Sequence, residues 1–337
     1  MRDSLKMALK VILAVAIVTW LLKSGKLDFS LIAESFKVGY GWLFCLLFLV
    51  FQDAVSSIRW RWLLKVNSQA KFPFLDMVRV TWIGLFFNSF LPGAVTGDFI
   101  KLLYIRDLDP KMSKTYLVTS VLMDRILGLM GLLLILGVSS LIFYTEIIGL
   151  SPQMKNLVHF NLLLFVGALG FIVFLFAPRA LQEKVLKLSA LIPVLGSKIH
   201  KTLMSVWTIG DNKTVLFKCI FISMFLQATN FGAFYLISSP FYGTEVPFQY
   251  IITLIPIGFM AVAVPISPAG LGVGHVIFEK LFSFVGVDGG ANFFNLYFVA
   301  LVFINSFGFL PYIFGGRQHS LKEAEDFEDK EVVTENV

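Results

Sequence analysis

Four ionisable side chains lie inside long apolar runs, where their types could do chemistry. Asp98 and Lys101 are three positions apart, and Asp124 and Arg125 are adjacent in the next apolar run. A charged group inside a run that crosses a bilayer is costly and is a functional candidate by default. Lysine and arginine can bind a phosphate, and a carboxylate can bind a cationic group. These four residues form the first candidate site.

Two of these residues have both a structural and a functional interpretation. The stretch Thr96-Gly97-Asp98 is typical of a helix start, so Asp98 could cap its own helix, contact a cationic headgroup or pair with an arginine. Arg125 lies about ten residues into its run, roughly 15 Å deep by helical rise. It could form an ion pair with Asp98 or Asp124, or its guanidinium could bind a lipid phosphate. The ion pair and the phosphate binding are compatible if a substrate competes with the carboxylate for Arg125.

A second candidate group follows a run of alternating glycines. Gly270, Gly272 and Gly274 precede His275 and Glu279. Free N–H groups at the start of a half-helix could bind a phosphate, although the same glycines would also permit close helix packing. The histidine and glutamate are one helical turn apart and share a face, so the pair could bind a metal or move protons. No second ligand pair accompanies them, and we expect neither a metal site nor a cofactor.

Apolar helices must position both groups. The chain has 337 residues, of which 57% are hydrophobic and 15% charged, against ~25% charged in a soluble domain. Runs of roughly twenty apolar residues recur, which is the length that crosses a bilayer. The only cysteines, Cys45 and Cys219, lie in such runs and give no disulfide framework. The composition predicts an all-α polytopic membrane protein.

Two of the apolar segments are interrupted. Segment 76–106 breaks at Leu91-Pro92-Gly93, and segment 248–286 breaks at Ser267-Pro268-Ala269-Gly270. The shorter arms reach ~15–20 Å and cannot cross ~30 Å of hydrocarbon, so we expect two re-entrant helical hairpins that line a cavity. About six further segments have the length of full spans, near 7–22, 39–57, 115–144, 157–177, 214–238 and 292–315.

The distribution of basic residues supports this topology. With a cytoplasmic N-terminus and both broken segments re-entrant, the inner segments hold 20 of the 28 lysines and arginines and the outer segments hold four. Such a bias follows the positive-inside rule and predicts cytoplasmic termini in a prokaryotic inner membrane. It also explains the net charge of +6 without a nucleic-acid partner.

The two breaks can be aligned with each other. With one residue of slack, Pro92 matches Pro268, Gly97 matches Gly274 and Asp98 matches His275. Paired broken helices in inverted halves indicate a transport site near the midplane, although proline and glycine mark any break and the match could be chance. We expect one membrane domain over 1–315, with halves 1–177 and 214–315, an amphipathic connector over 178–213 and a polar, disordered tail over 316–337.

Other polar residues in the apolar segments have mainly structural interpretations. Arg59, Trp60, Arg61 and Trp62 are typical of an interfacial anchor, with a substrate gate as the alternative. Most isolated polar residues in such segments bridge helices. Asn88, four positions before Pro92, is the one that we also place in the cavity. The others in this class are Gln227, Asn230 and Asn305.

In this order and spacing, the segments "NSFLPGAVTGDFIKLLYI", "LMDRILGLMGLLL" and "VPISPAGLGVGHVIFEKLF" resemble the lysylphosphatidylglycerol synthase membrane-domain family, also called flippase-like. The resemblance covers residues 5–315. Lysine at 101 replaces the usual arginine, and His275 lies where a glutamate is common. The matching motif positions are Asn88, Pro92, Gly93, Gly97, Asp98, Lys101, Asp124, Arg125, Gly128, Pro265, Ser267, Pro268, Gly270 and Gly272.

The resemblance implies a lipid flippase. Family members that carry a soluble aminoacyltransferase domain make a lysyl-lipid and then move it, whereas this chain ends after the membrane part, so we expect translocation of a phospholipid or glycolipid and no synthesis. A membrane-embedded enzyme acting on lipid-linked substrates and a structural membrane protein are the alternatives. A homo-oligomer and a separate lipid-modifying enzyme are further partners left open.

Overall fold

A computed structural model describes residues 30–37, 39–90, 96–191, 196–243, 246–263, 270–315 and 319. Within these ranges the chain is helical and contains no strand, which confirms the predicted all-α fold. The predicted span 7–22, the tail from 320 onwards, and Pro92, Gly93, Pro265, Ser267 and Pro268 lie outside the described residues. In chain order the helices are α1 (Ser30–Ser35), α2 (Gly41–Val66), α3 (Phe74–Phe90), α4 (Thr96–Leu108), α5 (Lys114–Ile142), α6 (Tyr144–Ile148), α7 (Pro152–Leu175), α8 (Arg179–Ala190), α9 (Gly196–Asp211), α10 (Lys213–Ser238), α11 (Phe248–Val262), α12 (Val273–Ser283), α13 (Gly290–Ser306) and α14 (Phe309–Phe314).

Five helical stretches of the described chain are long and apolar enough to cross a membrane. They are Gly41–Val66, Lys114–Ile142, Pro152–Leu175, Lys213–Phe241 and Gly290–Phe314. Each coincides with a span predicted from the sequence, so the polytopic membrane class is confirmed. Helix α2 continues beyond the predicted end at 57, because the sequence from 58 to 66 contains no glycine or proline to stop it.

Each broken segment forms a pair of antiparallel helices. In the first pair Lys101 lies against Gly84 and Gly97 lies against Asn88, so positions rise along α4 as they fall along α3. The arms of 17 and 13 residues extend about 26 and 20 Å, less than the ~30 Å of hydrocarbon. The second pair, α11 and α12, has arms of 15 and 11 residues and pairs in the same sense.

Helix packing relates the two halves by an internal two-fold. Helices α2 to α5 correspond to α10 to α13, and every contact between neighbours in one half has a counterpart in the other. Thus α5 packs on α10 and α11, while α13 packs on α2 and α3. The central pair α2 and α10 is antiparallel, since Gly41 lies beside Leu236 and Arg59 beside Ser223. A two-fold that relates antiparallel helices is perpendicular to them, which supports the predicted inverted repeat.

The local geometry at the hairpins follows the same correspondence. Gly97 and Gly274 are each the second residue of the returning helix, and Asp98 and His275 are each the third. The side chain of Lys101 lies against a glycine of α3, and Phe278, the matching residue, lies against Gly258 of α11. The alignment drawn from the sequence therefore has the correct register.

The connector between the halves forms two helices, α8 and α9, that pack against each other. Helix α9 also packs against α5, α7 and α10, and the Trp207 indole donates to the Phe174 carbonyl oxygen at 3.1 Å. Leu181, Leu188 and Leu191 are exposed. The connector is thus helical and has exposed leucines, as an amphipathic segment does.

Close packing of α5 on α10 gives a test of the central contact. A side chain at Gly131 would place its Cβ 2.5 Å from the Ser223 carbonyl carbon and 2.7 Å from the Met224 nitrogen. Because backbone atoms cannot move aside, we expect Gly131→Leu to destabilise the protein by about 1–3 kcal/mol or more in thermal unfolding. Gly167→Leu on α7 meets nothing within 4 Å and serves as the control. Equal loss in both variants would contradict this packing.

The membrane topology is testable by cysteine labelling. Gln69, in the loop after α2, and Gln153, at the start of α7, are both exposed and lie in segments predicted to face opposite sides. The native Cys45 and Cys219 are buried and give a low background. We expect an impermeant thiol reagent added outside intact cells to label Gln153→Cys and not Gln69→Cys. Labelling of both from one side would contradict the topology.

Candidate functional site

Asp98 is the centre of the first candidate site. Its side chain is only 5% exposed and lies in the first turn of α4. Lys101 Nζ is 2.9 Å from Asp98 Oδ1, and Arg125 Nε of α5 pairs with Asp98 Oδ2. One carboxylate therefore pairs with two cations, and these three side chains carry a net charge of +1. Of the two partners proposed for Arg125, the structure selects Asp98.

The three charged side chains differ in exposure. The Lys101 side chain is 12% exposed, whereas that of Arg125 is 40% exposed. Arg125 is thus the most accessible of the three side chains. A guanidinium offers several donors in one plane and suits a phosphate or carboxylate ligand.

Asn88 holds the start of α4 against α3. Its Oδ1 accepts a hydrogen bond from the Gly97 backbone N–H at 2.8 Å, and its Nδ2 lies 3.4 Å from Asp98 Oδ1. The predicted helix start is confirmed at Thr96. A free N–H at this terminus is capped by an amide from the neighbouring helix, which leaves the Asp98 carboxylate to its two cations. Gly97 has to be small, because a Cβ there would meet the Gly84 carbonyl oxygen.

Lys101 is positioned by two apolar surfaces. Its methylene chain lies along Gly84, and its Nζ lies 5.0 Å from the centre of the Trp60 ring. The Trp60 indole in turn donates to Ser120 Oγ at 3.2 Å. Trp60 is 2% exposed and contributes a cation–π contact to the cluster.

A second ion pair lies beside the first. Arg59 Nε is 2.7 Å from Asp124 Oδ1, and Arg59 Nη1 donates to Ser223 Oγ at 2.9 Å. This contact ties α2, α5 and α10 together. The nearby Gly128 carbonyl oxygen accepts a hydrogen bond from Gln227 Nε2 at 3.1 Å. The Arg59 guanidinium packs against Gly128, which has no side chain to obstruct it.

The interpretation of Arg59 and Trp60 as an interfacial anchor was therefore wrong. Arg59 is 7% exposed, and both residues face the helix interface. A signal was present in the sequence. Asp124 and Arg125 are adjacent on a helix, and their side chains point about 100° apart. Because they do not face each other, Arg125 cannot serve as the counter-ion of Asp124, and Asp124 needs a separate cation.

His275 and Glu279 of the second candidate group each form hydrogen bonds with α13. His275 is fully buried, its Nδ1 accepts from the Gly272 N–H at 3.3 Å, and its Nε2 lies 3.3 Å from Asn295 Oδ1. These contacts specify the tautomer with the proton on Nε2. Glu279 Oε2 accepts from the Ala291 N–H at 3.1 Å, at the start of α13. Histidine and glutamate thus share a face, but each binds a different part of α13.

The glycines of this group serve the backbone and the packing. Gly270 and Gly272 have φ values of 79° and 80°, which favour glycine. Gly274 faces the Phe294 ring so closely that a Cβ would collide with it. The first group contacts α5 and the second contacts α13. Within that part of the chain, no three metal-binding side chains cluster.

The predicted helix-bridging residues do bridge helices. Besides Gln227, Asn305 Nδ2 donates to Ser89 Oγ at 2.7 Å, and the Tyr297 hydroxyl donates to Asn230 Oδ1. Each contact joins two helices across the interior, as expected for polar side chains in apolar segments.

Comparison with known families agrees with this architecture. The family model described as the lysylphosphatidylglycerol synthase TM region matches residues 7–312. The chain belongs to this family. No curated protein matches it.

Family membership and the apolar spans together make the chain a membrane protein related to lipid handling. Within the family's region, the residues of both candidate groups fall on the two helix pairs and on the helices that follow them. Binding of a polar lipid headgroup is a prediction from the sequence. The assignment of individual residues to that ligand stays a prediction.

The ion pair of Arg59 and Asp124 gives a prediction about stability. Its side chains are 9% and 17% exposed, so Arg59→Gln leaves a nearly buried carboxylate without its cation. We expect a loss of about 3 kcal/mol in unfolding free energy. The double variant with Asp124→Asn should lose less than the sum of the two single losses.

The control for this cycle combines Arg59→Gln with Lys187→Gln on the exposed face of α8. These residues are on separate helices, and their effects should add. Additive losses for Arg59 and Asp124 as well would contradict a coupled pair.

Proposed function

We propose that this protein moves a phospholipid, or another lipid with a polar headgroup, between the leaflets of a prokaryotic cytoplasmic membrane. The observation that carries the proposal is the buried Asp98 carboxylate shared by Lys101 and the exposed Arg125. The cluster is net positive and the Arg125 side chain is 40% exposed, which suits a lipid phosphate. Its position at the start of a returning half-helix is typical of transport sites.

The shared carboxylate lets a ligand exchange places with it. A lipid phosphate that binds Arg125 would draw the guanidinium away from Asp98 Oδ2, while Lys101 keeps its contact with Asp98 Oδ1. Removing one partner of a simple buried pair leaves an uncompensated charge and costs several kcal/mol. With two cations on one carboxylate, that cost is reduced, and the ligand can be bound and later released.

The inverted halves supply a route to both leaflets. Rocking of one helix pair against the other would open the cavity alternately to each side while the lipid tails stay in the bilayer. Gly270, Gly274 and His275 are buried in this conformation, so in this proposal they contact the headgroup from the second half only when the rocking motion exposes them. The lipid passes unchanged, so the protein acts as a transporter and makes no covalent change.

The test is transport of a fluorescent phospholipid in proteoliposomes. We expect Arg125→Ala and Asp98→Asn each to reduce the initial rate at least tenfold, because each removes one side of the exchanging pair. Arg125→Lys should retain part of the rate, since it keeps the charge and loses the planar donor geometry.

The control is Lys155→Ala, which removes an exposed cation at the start of α7. Thermal unfolding of every variant separates loss of transport from loss of fold. Full transport by folded Arg125→Ala and Asp98→Asn would remove both residues from the mechanism. Chemical conversion of the lipid by the unaltered protein would favour the enzyme alternative.

A further inference from the structure

A basic cavity lies outside the site described above, at the C-terminal end of α2. It has a volume of about 460 Å³ and is formed by that end of the helix and the loop that leads to α3. Arg61, Lys65 and Lys71 line it together with Ser68, Gln69 and Phe72. Three cations therefore converge on one cavity.

These cations lack anionic partners in the part of the chain that the structure describes. No acidic residue is among those that line the cavity there, and no ion pair involves Arg61, Lys65 or Lys71. The Arg61 Nε is buried and has no hydrogen-bond acceptor among the described residues. Like charges held close together repel, so an anion bound among them would be stabilised.

The walls of the cavity are held in place. Ser68 Oγ donates to Asp109 Oδ2 at 2.5 Å and accepts from the Ala70 N–H at 3.0 Å. Phe72 is 1% exposed and anchors the loop in the core. Asp109 also accepts from the Lys111 N–H at 3.1 Å, so its carboxylate is committed to the loop. The loop that forms this wall of the cavity is therefore fixed by its own contacts.

We infer that this cavity binds the phosphate group of an anionic ligand, at a site separate from the Asp98 cluster. Arginine supplies a donor pair for phosphate oxygens, and the two lysines add mobile point charges. Trp62, beside Arg61 on α2, forms a cation–π contact with Lys218, and such aromatic residues are common at headgroup level. Basic pockets at this level bind the headgroups of anionic lipids. Binding at this cavity does not require transport, so a test of the binding is independent of the proposed function.

Titration of the purified full chain in a neutral detergent tests this site. Three probes are compared: dihexanoylphosphatidylglycerol, inorganic phosphate and the zwitterionic dihexanoylphosphatidylcholine, each followed by tryptophan fluorescence and by thermal shift. Each lysine near a membrane surface contributes about a fivefold change in affinity for an anionic lipid. We expect Lys65→Gln with Lys71→Gln to weaken phosphatidylglycerol binding at least tenfold, and Arg61→Lys to weaken it less than Arg61→Gln.

The matched control is Lys184→Gln with Lys187→Gln on α8, which removes the same charge from two exposed positions. If phosphatidylglycerol binds in a lysine-dependent manner and inorganic phosphate does not bind, the ligand is a lipid headgroup. If inorganic phosphate binds as tightly as phosphatidylglycerol, the ligand is free phosphate. Equal weakening in the control, equal binding of the zwitterionic lipid, or no binding of either anion would overturn the inference.

Discussion

Burial of the Asp98 carboxylate is the constraint on which the first half of this protein depends. A charge at that depth is tolerated only with compensation, and here Lys101 and Arg125 supply it from two helices. To bring them together, α4 must lie close to α3, which requires glycine at position 97 and the amide of Asn88 at the helix start. The break in the segment, the two glycine contacts and the ion pairs are therefore parts of one arrangement.

The internal two-fold repeats the framework while the chemistry differs between the halves. Charged ties join the helices of the first half, with Arg59 to Asp124 and Arg125 to Asp98. Between the corresponding helices of the second half the contacts are neutral, Asn230 to Tyr297 and His275 to Asn295. Neutral hydrogen bonds cost less to desolvate than ions. An inverted repeat of this kind keeps its framework symmetric, while the ion-pair clusters of Asp98 and Asp124 lie in the first half.

Much of this fold could be predicted from the sequence because each signal was local. Apolar run length placed the five spans, and Pro-Gly and Gly-x-Gly patterns placed the two breaks. The register of the repeat followed from glycines that must be small where helices meet. The candidate site was harder to predict. Arg59 lay among aromatic residues typical of an interface, and only the long helix α2 turned it inward to Asp124. Which carboxylate pairs with which arginine depends on helix rotation, a property that spacing along the chain does not define.

By itself the sequence determined the class of protein, its helices and the positions of their breaks. It also identified the ionisable residues whose burial in apolar segments costs free energy. Those properties follow from solvent transfer and backbone sterics, which act over a few neighbouring residues. Only the tertiary structure decided that Asp98 is shared by two cations, that Asn88 caps α4 and that His275 is a neutral donor to Asn295. Apart from the contact between Asp98 and Lys101, these pairings join residues of different helices, and their geometry exists only once the helices have packed.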